Sequence, residues 1–110
     1  AGEPFDVDYA AHEIGHQFGG NHTFNNSCSG NRNNPTAWEP GSGSTIMAYA
    51  GICTPNVQSF SDAYFHGGSQ AEVRQFTVNG NGNTCPQLFP SGNLAPQVDA
   101  GPDRVIPHST

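Results

Sequence analysis

His12, Glu13, His16, Gly19 and His22 fall at fixed intervals in one eleven-residue stretch, HEIGHQFGGNH. On a helix, two histidines four apart share a face about 6 Å apart along the axis, so both imidazoles reach one ion. Glu13 is rotated by roughly 100° from His12, which aims its carboxylate beside that ion rather than onto it. A glycine then lets the backbone leave the helix, and His22 returns as a third ligand. Three nitrogens at roughly 2.0–2.1 Å, with a fourth position left for water, make the open coordination of catalytic Zn2+. Zinc acidifies such a water, and Glu13 is placed to take its proton as the water attacks a carbonyl. A closed structural zinc site normally has four protein ligands and is rich in cysteine, so this donor set speaks for catalysis. Manganese or nickel is the rival ion.

A helix must carry this motif, and the flanking residues predict one over Val7–Phe18. Asp6 is a suitable N-cap, its carboxylate accepting from free amides of the first turn. Val7, Ala11, Ile14 and Phe18 recur at helical spacing as an apolar stripe distinct from the histidine face. Gly15 inside the helix costs about 1 kcal/mol relative to alanine; close approach of another backbone, with the segment around Met47 the candidate, would compensate. Gly19 and Gly20 end the helix, one of them at positive φ. From Asn21 to Gly43 the chain is rich in Asn, Ser, Gly and Pro without periodicity, a long loop whose large apolar anchor is Trp38, read as packing rather than substrate-contacting. A second helix is expected over Ser69–Thr77, opened by the capping box Ser69/Glu72, with Val73, Phe76 and Val78 inward. His66, just before it, reads as a structural histidine.

Composition narrows the class. The 110 residues allow one small domain, and 34% hydrophobic residues with 14 Gly and 9 Pro leave little apolar surface for a core. A formal charge of −6 argues against nucleic acid or an anionic membrane as partner. No run of eighteen apolar residues exists to span a membrane. Three cysteines in so polar a chain suggest an exported, secreted protein with disulfides. Cys28 and Cys53 bracket the loop into and out of the segment around Met47 and form the favoured pair; three free buried thiols are the alternative. Ala1 lies so close to the motif that the sequence reads as a processed or excised piece.

The motif, together with STIMAYAGIC (Ser44 to Cys53), resembles the metzincin zinc endopeptidases, and is most similar to reprolysin-like metallopeptidases of secreted bacterial proteins. The resemblance covers about residues 6 to 85. It implies a mainly α fold with long irregular loops: the C-terminal, lower subdomain of an α+β catalytic domain. It further implies a Met-turn with Met47 as floor of the metal site, and Tyr49 as extra metal ligand or oxyanion donor, unless it merely packs. Residues 50–60 would wall the pocket for the residue after the scissile bond. Cys85 would pair with a cysteine upstream, in the upper subdomain that also receives the extended protein or peptide substrate. Residues 87–110 look like a linker and first strand of an immunoglobulin-like or PKD-type domain, following a lower subdomain at 1–86. The expected activity is hydrolysis of internal peptide bonds. The alternative is a degenerate protease module acting as a binding or adhesin part.

Overall fold

The computed structural model describes residue 2 and residues 4–87, 89–94 and 96–103. Two α-helices, each extended by a π-helical stretch, and three short 3₁₀ turns make up the regular structure. Among the described residues there is no strand; Phe24 and Glu39 form one isolated parallel bridge. Helix α1 (His12–Gln17) is preceded by a π-helical stretch, Phe5–Ala11, and helix α2 (Gly67–Arg74) is followed by another, Gln75–Asn79.

The first helical run begins earlier than the sequence predicts. Pro4, not Asp6, occupies the N-cap, and Asp6 and Asp8 lie in the first turn, where carboxylates complement the helix dipole. Asp8 also accepts a hydrogen bond of 2.8 Å from the Ser61 amide, tying the helix to the chain beyond Met47. Gly19 takes φ +86° just after the helix, so the expected C-terminal turn is present.

The stripe on α1 is not covered: Ile14 and Phe18 are 56% and 46% exposed, lining an open groove with Phe65, Val73 and Val78. Gly15 is approached by the segment around Met47, as expected, but through a side chain rather than the backbone, since a Cβ there would overlap Sδ of Met47. The Ser69/Glu72 capping box does not form. His66 is the N-cap of α2, its Nδ1 accepting from the Gly68 amide at 3.0 Å. Glu72 instead accepts from the amide and side chain of Asn21 at 3.0 and 2.7 Å, and the buried Ser69 hydroxyl has no partner. The tie from α2 to the loop beside His22 thus displaces the local cap.

The core is small. It comprises Phe24, Ile46, Met47, Ala48, Ala50 and Cys53, gathered where the turn at Thr45–Tyr49 meets the loop after α1. That long loop is held by backbone bonds, from Thr23 N to Met47 O (3.2 Å), Glu39 N to Thr23 O (2.8 Å) and Asn26 N to Gly41 O (2.9 Å). Trp38 packs by stacking on His66, with ring centroids 5.2 Å apart, yet remains 42% exposed and is not a core residue. Phe76 packs against Gly19 and is half-buried, whereas Val78 is exposed rather than inward. Cys28 and Cys53 form the expected disulfide, and Cys85 is exposed and free. The described residues beyond Cys85 carry no helix or strand and lie exposed.

Candidate metal centre

His12 and His16 come from successive turns of α1, and His22 from the loop after Gly19 and Gly20. Each Nδ1 meets a backbone carbonyl: His12 donates to Ile46 O at 2.6 Å, His16 to Gly20 O at 2.8 Å and His22 to Asn31 O at 2.7 Å. A carbonyl only accepts, so each neutral ring carries its proton on Nδ1 and presents a bare Nε2 lone pair. Those three atoms converge, with His16 Nε2 lying 3.1 Å from Nε2 of both His12 and His22. Three lone pairs facing one another without a proton repel, and a cation between them turns that repulsion into ligation. Tetrahedral ligands at 2.0–2.1 Å stand about 3.3 Å apart, close to the spacing here. The three histidines therefore fit a zinc ion.

Burial lowers the pKa of His12 and of His22, against the opposing pull of the Ile46 and Asn31 carbonyls; His16 lowers both further, and His22 adds to the lowering of His12. Both rings are thereby kept neutral, the form in which they ligate.

Glu13 is exposed at the rim, where its charge acts on His12, His22 and Tyr49. Tyr49 is half-buried, its ring 4.7 Å from that of His22 and 4.5 Å from Phe24 between centroids. Burial, followed by the Glu13 charge, raises its pKa, so the hydroxyl stays protonated. Met47 is fully buried and lies against Gly15 of the ligand helix.

The motif does not reveal what orients these groups. The carbonyls of Ile46, Gly20 and Asn31 have no signature, because any residue carries one. Glu39 was missed as well: its carboxylate is buried and accepts from the amides of Ser44 and Thr45 and from the Thr45 hydroxyl. In the sequence it sits in an unpatterned Trp-Glu-Pro, with nothing to mark it.

A family model described as metallo-peptidase family M12B, reprolysin-like, matches residues 1–80. The chain belongs to that family. No curated protein and no solved structure matches it. This reprolysin-like chain is accordingly a metallopeptidase, a hydrolase of a zinc-using family that acts on protein. No helix among the described residues is long and apolar enough to cross a membrane.

Proposed function

We propose that the chain carries the catalytic centre of a zinc endopeptidase that cuts internal peptide bonds, with His12, His16 and His22 as ligands and Glu13 as general base. The observation that carries this reading is the convergence of three Nε2 atoms whose Nδ1 protons are all committed to backbone carbonyls. Zinc bound there supplies Lewis acidity, lowering the pKa of a water and polarising the carbonyl under attack. Glu13 accepts the proton released by the attacking water at a carboxylate oxygen and returns it to the departing amine. The Tyr49 hydroxyl, kept protonated, donates a hydrogen bond to the oxyanion that develops on the carbonyl. Met47 holds α1 from below and keeps water from that side of the ligands.

The proposal includes an extracellular setting, for which the Cys28–Cys53 disulfide speaks. It also includes an upper subdomain in the parent chain, supported by the uncovered Ile14 and Phe18. Residues 1–86 are then the lower subdomain and 87–110 the link to a further domain.

Casein hydrolysis by the parent protein tests the reading. Glu13→Ala is expected to lower kcat/KM by about 10²- to 10⁴-fold while elemental analysis finds zinc retained. Activity surviving that substitution refutes the assigned base. A wild-type protein that holds zinc and cuts nothing favours a binding module instead.

A further inference from the structure

We propose that the Glu39 carboxylate is a positioning group for the metal site, holding the turn that orients His12 against the Glu39 main chain, which is itself paired with the segment that follows His22. The inference rests on the zinc reading above.

Glu39 is 6% exposed. Its Oε2 accepts from the amides of Ser44 at 2.6 Å and Thr45 at 3.1 Å, and its Oε1 from the Thr45 hydroxyl. The next residue, Ile46, supplies the carbonyl that receives the His12 Nδ1 proton at 2.6 Å. On its other side Glu39 is tied to the third ligand. Its amide donates to the Thr23 carbonyl at 2.8 Å, and it bridges to Phe24, one and two residues beyond His22. The Thr23 amide in turn donates to the Met47 carbonyl at 3.2 Å. One residue thus links the neighbours of two ligands that are ten residues apart in sequence, by its carboxylate on the His12 side and by its main chain on the His22 side.

The local backbone is shaped to admit this carboxylate. Gly43 has φ +69°, and a Cβ there would stand 2.8 Å from Glu39 Oε2 and overlap Ala48. Burying an ionised carboxylate is costly unless its oxygens are satisfied, and here three donors converge on them. Groups that orient a metal-bound imidazole typically change metal affinity by about 10- to 100-fold when removed.

The test is zinc affinity, measured by competition with a chromogenic chelator, together with the visible spectrum of the cobalt-substituted protein. Glu39→Gln keeps the size and one acceptor oxygen but loses the charge. It is expected to raise the zinc Kd about 10- to 100-fold and to change the cobalt d–d bands. Thr45→Val removes only the hydroxyl donor, and a smaller change in the same direction is expected. A merely structural Glu39 would lower the melting temperature of the metal-free protein while leaving Kd and spectrum untouched. That result, from a folded Glu39→Gln, overturns the proposal. Should Glu39→Gln not fold, Thr45→Val decides: an unchanged Kd and spectrum overturn the proposal too. A wild-type chain that binds no zinc brings down the metal assignment and this inference together, whereas a binding wild type with an indifferent Glu39→Gln brings down this inference alone.

Discussion

In the proposed centre each histidine has two jobs split between its two nitrogens. Nδ1 gives its proton to a carbonyl and Nε2 is left to ligate. The spacing of the three was legible in the sequence because helical periodicity is local: His12 and His16 must share a face wherever α1 lies. Their acceptors were not legible, because Ile46 comes from 34 residues away and only the folded chain brings its carbonyl to His12. The same burial makes a prediction about pH. Folded His12 and His22 titrate below the ordinary imidazole value of 6.5, so the unfolded chain binds more protons as acid is added. The stability of the metal-free protein is then full above pH 6.5 and is lost as pH falls through that value towards the lowered folded ones. Urea unfolding in the presence of chelator at pH 8, 6.5 and 5 should show a midpoint that drops only at the lower end. A midpoint unchanged at pH 5 means that the rings are not held neutral.

Between elements, the decisive contact is the seat of α1 on the turn that contains Met47. Gly15 permits it, since a methyl group there would occupy the space of the Met47 sulfur. Gly15→Ala should therefore destabilise the protein by about 1–3 kcal/mol from overpacking, although alanine is the better helix former by about 1 kcal/mol. Thermal melts of the two forms measure the balance, and a more stable alanine variant would show that the seat is loose. The glycine inside the motif was visible from the start, and the segment around Met47 was a candidate for its neighbour, but that a side chain fills the space was not visible. Helix propensity marks it only as a cost, and the compensating neighbour lies 32 residues on, at Met47. The opening of α2 teaches the converse. Ser69 and Glu72 have the spacing of a capping box, yet Glu72 is drawn to Asn21, 51 residues away, and His66 caps the helix in its place. Local patterns lose where a long-range partner offers two hydrogen bonds to a carboxylate.

For the whole molecule, the question is what holds so polar a chain together. Its radius of gyration is 16.9 Å, against about 13 Å for a compact domain of this length. Among the described residues the buried apolar set is six, so cross-links must supplement the core. Two are at hand: the proposed zinc site, and the Cys28–Cys53 disulfide, whose 25-residue span corresponds to about 3–4 kcal/mol of loop-closure entropy. The two are not independent, because Asn31, three residues after Cys28, supplies the carbonyl that orients His22. Replacing both cysteines by serine should therefore weaken zinc binding as well as the fold. At a fixed, saturating zinc concentration, a tenfold weaker site stabilises the folded state by about 1.4 kcal/mol less. Melting the wild type and the double variant, each with zinc and with chelator, closes a thermodynamic cycle. The zinc increment should be smaller in the variant. Equal increments would mean that the disulfide secures the chain without reaching the third ligand, leaving the Asn31 carbonyl to be held by its loop alone.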